Sequence, residues 1–195
     1  NREEKIKVKS AFGEELKSKG VLHPYQISVK DALAKSVLEE KTQRIMVEMP
    51  TGAGKTMTAL ELVVDFIRSH QFLGKIVWIV DSNELADQAF ESFVSLWKLR
   101  GDRSTSAYRF FGDFKPSFSS CEDGIVFTSF TTCHAAIESN HHEAVKNFQQ
   151  LCDSTQLVLV DEAHTSVAYT HRNTISKLLK KTPILVGISA TPVRN

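Results

Sequence analysis

Residues 44–67 read Arg-Ile-Met-Val-Glu-Met-Pro-Thr-Gly-Ala-Gly-Lys-Thr-Met-Thr-Ala-Leu-Glu-Leu-Val-Val-Asp-Phe-Ile, and this stretch decides the fold. Its first six residues, 44–49, are typical of a short β-strand. Further on, four apolar residues recur at the spacing of one helical face: Leu60, Val63, Val64 and Ile67. The intervening residues, 50–56, contain two glycines. The stretch therefore predicts a strand that passes through a tight glycine-rich turn into a helix.

A turn of this composition suits phosphate binding. Glycines let the backbone curl so that successive N–H groups point at phosphate oxygens, and the start of the helix adds partial positive charge. Lys55 would reach the terminal phosphates, and the hydroxyl of Thr56 would ligate Mg²⁺. The strict sequence pattern of such phosphate-binding turns begins with Gly, where this chain has Met49. The alternative interpretation is an ordinary glycine-rich turn beside a surface lysine. The predicted nucleotide-binding residues are Thr51, Gly52, Ala53, Gly54, Lys55 and Thr56.

The rest of the chain alternates short β-rich runs with helical-period segments. Further strands are predicted at 76–80, 125–128, 157–160 and 184–188, and these four and the strand at 44–49 are interpreted as apolar strands covered on both faces. Helices are predicted at 25–40, 60–67 and 84–98, from stripes that include Val29, Leu33 and Val37 in the first and Leu85, Ala89, Phe93 and Leu96 in the last. Right-handed crossovers then give a three-layer α/β sandwich with a mainly parallel sheet. Residues 101–123 show no periodicity, and no linker divides 1–195, so one domain is expected.

Composition narrows the functional classes. Of the 195 residues, 42% are hydrophobic and 24% are charged, which excludes a disordered chain or a coiled coil. The formal net charge of +1 means that any polyanion must bind at a local site. No apolar run approaches the length that a bilayer requires, and the charged first residues are no signal peptide, so no membrane partner is expected. Three scattered cysteines suit reduced thiols and a cytoplasmic location: Cys121, Cys133 and Cys152.

Two acids follow a buried-type strand. Asp161 and Glu162 come directly after residues 157–160, at the edge of a parallel sheet where such folds bind ligands. Because neighbouring side chains in extended backbone point apart, one acid can serve Mg²⁺ while the other faces the terminal phosphate. We assign Asp161 to the metal and Glu162 to the attacking water. The alternative is an acidic helix start, which the helix dipole favours.

Two other clusters are discounted. Cys133, His134, His141, His142 and Cys152 lack the ligand spacing that zinc sites favour, so no metal beyond Mg²⁺ is expected there. Five aromatic residues, interleaved with Arg109 and Lys115, could form a base-stacking surface: Tyr108, Phe110, Phe111, Phe114 and Phe118. We prefer the interpretation that they belong to a strand and a loop packed on the core. The charged segment around Lys5, Lys7 and Lys9 is interpreted as a solvated helix or strand edge.

Six segments, in order, resemble motifs of the superfamily 2 helicases and DNA translocases. They are His-Pro-Tyr-Gln (23–26), similar to the adenine-reading segment; 50–56, motif I; 80–88, motif Ia; 126–130, motif Ib; Asp-Glu-Ala-His (161–164), motif II; and Ser-Ala-Thr (189–191), motif III. Together they span nearly the whole chain. Segments 23–26 and 80–88 look most like the motor subunits of type I and type III restriction enzymes. The resemblance implies a RecA-like P-loop ATPase domain that uses ATP and Mg²⁺ and acts on DNA, with RNA as the alternative.

The resemblance also implies roles for single residues. Gln26 would read the edge of adenine through its amide, although a glutamine opening a helix needs no such role. His164, Ser189 and Thr191 would couple the nucleotide to the nucleic-acid face, with capping and an ordinary turn as the alternative. Residues of motifs Ia and Ib would contact the phosphate backbone of one nucleic-acid strand: Ser82, Asn83, Thr128 and Ser129. For these residues the alternative is simple helix capping.

The resemblance finally implies a partner. In the family a second RecA-like domain supplies an arginine finger, and other restriction-enzyme subunits join it; this chain has no counterpart, so the isolated piece is expected to turn over ATP weakly. Two other functional classes stay open on the sequence. One is a nucleotide-binding switch or scaffold, which the pair Asp161 and Glu162 disfavours. The other is a P-loop kinase or ligase for a small molecule.

Overall fold

A computed structural model describes residues 5–8, 22–39, 44–69, 74–119, 123–162, 169–180 and 184–190, with 5–8, 38 and 39 described by backbone alone. Strands and helices alternate along most of this part of the chain. In order they are β1 (Lys5–Val8), α1 (Pro24–Glu39), β2 (Arg44–Glu48), α2 (Lys55–Arg68), β3 (Lys75–Val80), α3 (Asn83–Arg100), β4 (Thr105–Phe110), β5 (Gly124–Ser129), α4 (Phe130–Ile137), α5 (His142–Ser154), β6 (Thr155–Asp161), α6 (Tyr169–Leu178) and β7 (Ile184–Ser189).

The seven strands of the described residues form one sheet in the order β1-β4-β5-β3-β6-β7-β2. β1 is antiparallel to β4, and every other neighbouring pair is parallel. Because parallel strands end at the same edge, the last residues of β2, β6 and β7 lie side by side there. Glu48 pairs with Ser189, and Asp161 pairs with Ile188. The predicted mainly parallel α/β fold is confirmed.

The sheet separates two apolar clusters. Alternate residues of β3 point to opposite faces: Ile76, Trp78 and Val80 join α1, α2 and α3 in one cluster, whereas Val77 and Ile79 join α4, α5 and α6 in the other. Period-two alternation of this kind requires a sheet that is covered on both faces. The sheet and its two helical coats are the three predicted layers. No helix of the described residues has both the length and the apolar content needed to cross a bilayer.

The helical stripes are largely confirmed. Leu60, Val63, Val64 and Ile67 are buried on α2, and Leu33 and Val37 are buried on α1. On α3 one stripe residue is misplaced, since Leu85 is 41% exposed while Ala86 is fully buried.

Two strand predictions need correction. β2 is not covered on both faces, because it is an edge strand of the described sheet and its Arg44, Met46 and Glu48 are exposed. Residues 101–123 are not irregular throughout, because they contain β4, which pairs with β1 and β5 and whose side chains are mostly buried. Tertiary burial overrides the absence of a periodic pattern there.

The aromatic residues around β4 belong to the core, as preferred from the sequence. Tyr108, Phe110, Phe111 and Phe118 are at most 4% exposed. The guanidinium of Arg109 stacks on the Phe90 ring, 3.8 Å from its centroid, and pairs with Asp87 and Glu91 of α3. This cation–π contact and the ion pairs fasten α3 to β4, and they leave neither Arg109 nor these rings available for stacking on bases.

Glu61 of α2 is the one acid of this helix that is fully enclosed among the described residues. It is 1% exposed; its Oε1 lies 3.3 Å from Arg100 Nη1, and its Oε2 has no hydrogen-bond partner in the described part of the chain. Burial raises the pKa of Glu61 above its ordinary value of 4.5, against the opposing charges of Arg100 and Lys30.

This raised pKa makes the folded protein bind the Glu61 proton more tightly than the unfolded chain does. Stability from this group is therefore complete below pH 4.5 and is lost as the pH rises through the folded pKa. Chemical denaturation should be followed from below pH 4.5 to above the folded pKa. Over this pH range the free energy of unfolding of the wild type should fall relative to that of Glu61→Gln. Glu138→Gln, a change in an exposed glutamate, is the control. Parallel pH profiles for wild type and Glu61→Gln would contradict the assignment.

Candidate nucleotide-binding site

The turn between β2 and α2 has the shape that the glycines predict. Gly52 and Gly54 have φ angles of 77° and 72°, in the left-handed region that favours glycine. Ala53 N donates to Pro50 O over 3.0 Å, which closes the turn, and α2 begins at Lys55. The open N–H groups of the first helical turn therefore face the edge of the sheet.

The distant acid Asp161 meets this turn. Thr56 Oγ1 donates a 2.8 Å hydrogen bond to Asp161 Oδ2, although 105 residues separate the two in sequence. The strand order explains the contact, because only β7 lies between β2 and β6. The turn after β2 folds back over the end of β7 and reaches the end of β6.

The second acid lies beside the lysine. Lys55 Nζ is 3.6 Å from Glu162 Oε1, and the side chains are 8% and 38% exposed. The lysine is thus enclosed while the carboxylate remains open to solvent. A triphosphate entering the turn would meet Lys55 from one side and Glu162 from the other.

Glu162 has an unusual backbone. Its φ angle is 58°, the only positive value at a non-glycine position within the described residues. The left-handed conformation costs an ordinary residue about 1–2 kcal/mol. Asp161 Oδ1 accepts a 3.1 Å hydrogen bond from Glu162 N, which helps to hold this turn. Strained backbone of this kind clusters at functional sites, where it fixes the direction of a side chain.

The donor set around Thr56 and Asp161 fits a magnesium ion. One hydroxyl and one carboxylate lie in contact, and Mg²⁺ prefers hard oxygen ligands from one or two side chains together with phosphate. Burial raises the pKa of Asp161 above its ordinary value of 3.8, while the hydrogen bond from Thr56 lowers it. A cation bound here would favour the ionised carboxylate.

Gln26 is committed to the phosphate-binding turn. Its side chain is buried; Nε2 donates to Ala53 O over 2.8 Å, and Oε1 accepts from His23 N over 2.7 Å. Tyr25 Oη donates to the same Ala53 carbonyl over 2.9 Å. Both halves of the amide that would read adenine therefore have partners in this structure, and the base would have to exchange with one of them.

A cavity of about 360 Å³ opens over this turn. Its lining residues come from the turn, α2, α3 and the end of β6: Gly52, Gly54, Lys55, Thr56, Met57, Leu60, Ser92 and Glu162. Volume alone does not identify the site, because a cavity of about 530 Å³ between residues 115–119 and helices α4 and α5 contains none of the predicted nucleotide ligands. The chemistry of the residues that line the smaller cavity identifies the site.

The predicted coupling residues are described in part. Ser189 is buried at the end of β7, and its carbonyl accepts a 3.0 Å hydrogen bond from Met49 N, directly ahead of the phosphate-binding turn. β7 thus ties the end of β2 to the end of β6. His164 and Thr191 lie outside the described residues.

Two of the predicted nucleic-acid residues, Asn83 and Ser129, form one hydrogen-bonded group with Thr132. Ser129 Oγ donates to Asn83 Oδ1 over 2.7 Å, and Thr132 Oγ1 donates to the same oxygen over 3.3 Å. Ser82 caps α3 by accepting from Leu85 N, and Ser129 caps α4 by accepting from Thr132 N. Both serines therefore cap helices, as the alternative interpretation has it, and their contact with nucleic acid stays a prediction.

The fourth residue, Thr128, is fully buried, as is the side chain of Ser129. Thr128 Oγ1 lies 3.4 Å from Cys133 Sγ. Both residues were predicted to contact the nucleic-acid backbone, but both side chains are fully buried, and α4 begins at once with Phe130. Neither hydroxyl is open to solvent in this structure.

Comparison with known proteins decides the family. The family described as "Type III restriction enzyme, res subunit" matches residues 19–194. The chain belongs to this family.

The similar proteins agree with this membership. The type I restriction enzyme EcoKI endonuclease subunit of Escherichia coli K12 is 32% identical over 87 residues, which cover 45% of this chain and 7% of that protein. The type ISP restriction-modification enzyme LlaGI, solved with a DNA substrate mimic, matches with a TM-score of 0.64 at 17% identity over 89% of this chain and 18% of that one. The UvsW helicase of bacteriophage T4 gives 0.60 at 17% identity, over 95% and 56%. The fold is that of RecA-like helicase domains.

Some site residues of this family member were missed from sequence. Tyr25 holds the phosphate-binding turn through Ala53, and Thr132 completes the group around Asn83. The place of Tyr25 beside Gln26 in segment 23–26 was an available signal. Thr132 gave none, because its contact depends on how β3 and β5 pair.

The close approach of Gln26 to the turn can be tested with a pair of glycines. A Cβ at Gly54 would lie 2.5 Å from Gln26 Nε2, whereas a Cβ at Gly52 would meet nothing within 4 Å, and both glycines have similar φ angles. Gly54→Ala should push Gln26 off Ala53, whereas Gly52→Ala should not.

If Gln26 selects the base, Gly54→Ala should reduce the preference for ATP over GTP about tenfold, the worth of one hydrogen bond. Gly52→Ala should weaken both nucleotides equally. The measurement is the ratio of the two dissociation constants by calorimetry in the full-length protein. An unchanged ratio in Gly54→Ala would contradict the role of Gln26.

Proposed function

We propose that this chain is the ATP-hydrolysing motor domain of a DNA helicase or translocase of the restriction-enzyme type. One observation carries the proposal: Lys55 meets Glu162 and Thr56 meets Asp161 across more than 100 residues of sequence, beside one cavity that Lys55, Thr56 and Glu162 line. Family membership supports an ATPase of this kind. Residues 1–195 would act as one domain of a longer protein.

Each side chain would have a separate task. The N–H groups of 51–56 would cradle the phosphates, and Lys55 would neutralise the charge that develops on the terminal phosphate. Glu162, open to solvent and aimed by its unusual backbone, would orient and deprotonate the attacking water. Thr56 and Asp161 would hold Mg²⁺, which supplies further neutralisation of phosphate charge when it is bound.

Adenine selectivity would come from Gln26. Its amide can donate and accept at once, which matches the edge of adenine. The present bond from Gln26 to Ala53 places the amide at the mouth of the same turn. Nucleotide binding would then exchange this bond for contacts with the base.

The polymer partner would be DNA, with RNA as the alternative. LlaGI was solved with a DNA substrate mimic, and a SWI2/SNF2 ATPase core of Sulfolobus solfataricus, with a TM-score of 0.62 at 18% identity over 91% of this chain and 33% of that one, was solved with double-stranded DNA. On this chain the starts of α3 and α4 are held together by Asn83 and Ser129. These helix starts would face the phosphate backbone of the DNA strand.

A second RecA-like domain of the parent protein, and other restriction-enzyme subunits, would complete the assembly. The chain spans 7% of the length of its EcoKI relative and 56% of UvsW. An arginine finger from the second domain would contribute about 10³–10⁵ in rate, so this chain alone should hydrolyse ATP weakly.

The role of Glu162 is testable in the full-length protein. Glu162→Gln keeps the size and hydrogen-bonding capacity of the side chain but removes the base. Steady-state ATPase should fall by about 10²–10⁴ while the affinity for MgATP stays within a few-fold of wild type. Glu143→Gln, an exposed acid on α5, is the matched control. Turnover at the wild-type level in Glu162→Gln would refute the assignment.

The same assay separates the other classes. A switch or scaffold would bind ATP without multiple turnovers even with nucleic acid present. A small-molecule kinase or ligase would turn over without stimulation by DNA. The proposal requires ATPase activity that DNA increases.

A further inference from the structure

Two aromatic rings from different helices are stacked beneath the sheet edge. The ring of Phe130, the first residue of α4, lies parallel to the imidazole of His171 on α6, with centroids 4.0 Å apart and planes inclined by 10°. Phe130 is 2% exposed, and His171 is half-buried. A face-to-face contact at this distance fixes both the spacing and the relative rotation of the two helices at one point.

The α4 end of this stack is tied to the predicted nucleic-acid face. Ser129, which precedes Phe130, caps α4 and donates to Asn83 at the start of α3. A nucleic-acid strand that displaced Asn83 would remove its hydrogen bond with Ser129 and so disturb the cap of α4, and Phe130 is the next residue along the chain. Its buried ring cannot shift independently of the helix that carries it.

The α6 end of the stack is connected to the strand that carries the predicted metal-binding acid. α6 packs on α4, on α5 and on β6, and β6 ends in Asp161. A displacement of α6 thus acts on the strand that positions Asp161.

We infer that His171 is a positioning residue that couples the nucleic-acid face to the ATP site through its stack on Phe130. The inference rests on the proposed function and adds a route for it: from Asn83 through Ser129 to Phe130, from Phe130 to His171, and from α6 through β6 to Asp161. His171 itself contacts neither ligand. Its loss should uncouple the two sites while leaving each site able to bind.

The test is the thermodynamic coupling between the two ligands in the full-length protein. The dissociation constant of a non-hydrolysable ATP analogue with Mg²⁺ is measured with and without a saturating duplex DNA, and the ratio is the coupling factor. In the wild type we expect a factor of about 5 or more. In His171→Ala the factor should fall towards 1, while affinity for the analogue alone stays within about twofold.

Two further variants make the result specific. His171→Phe retains a flat ring and should restore at least half of the coupling. Tyr169→Ala removes a ring from the same helix at a position that is 84% exposed, and should behave as the wild type. Phe130→Ala is unsuitable, because removing a buried aromatic side chain destabilises the core regardless of coupling.

Each other outcome overturns the inference. Full coupling in His171→Ala, or equal loss in His171→Phe and His171→Ala, would show that the stack is not the route. Wild-type protein that binds analogue and DNA without coupling would also overturn it, and would leave the ATP site of the proposed function intact. Wild-type protein that binds no nucleic acid would refute the proposed function itself, before any variant is compared.

Discussion

The hydrogen bond between Thr56 and Asp161 is the contact on which the site depends. It joins the turn after β2 to the end of β6 over 2.8 Å, although β7 lies between these strands. A bond between a hydroxyl and a charged group contributes about 1.5–3 kcal/mol, enough to hold the turn against the sheet edge. Lys55 precedes Thr56 and Glu162 follows Asp161 in sequence, so the same contact brings Lys55 and Glu162 to the cavity.

This arrangement brings several energetic costs together in one site. Asp161 is buried, which raises its pKa, and Glu162 has a left-handed backbone that an ordinary residue avoids. Lys55 is enclosed beside the more exposed carboxylate of Glu162. Phosphate and a divalent cation would offset the electrostatic costs, because the cation would favour the ionised Asp161 and the phosphate would pair with Lys55.

The sequence predicted the parts of the molecule where a local pattern has a single structural meaning. The turn at 50–56, the stripes of α1 and α2 and the acids after β6 fall in this class, because glycine geometry, helical period and strand polarity act within a few residues. β4 was missed because its residues show no alternation, and the segment becomes a strand by pairing with β1 and β5. α4, α5 and α6 were not predicted, although Phe148, Leu151 and Cys152 form a buried stripe on α5.

The functional contacts divide in the same way. Lys55, Thr56, Asp161 and Glu162 were predicted and are brought together, whereas the double commitment of Gln26 and the burial of Thr128 and Ser129 arise from tertiary packing. The position of His171 on Phe130 depends on how α6 packs, which no spacing in the sequence reveals.

The most direct test of the central claim is a double-mutant cycle on the affinity for MgATP, with Thr56→Val, Asp161→Asn and the double variant. If the two side chains share one magnesium-nucleotide site, their effects should be non-additive, with an interaction free energy of about 1 kcal/mol or more. Additivity within about 0.5 kcal/mol would show that the residues act separately and would contradict the account.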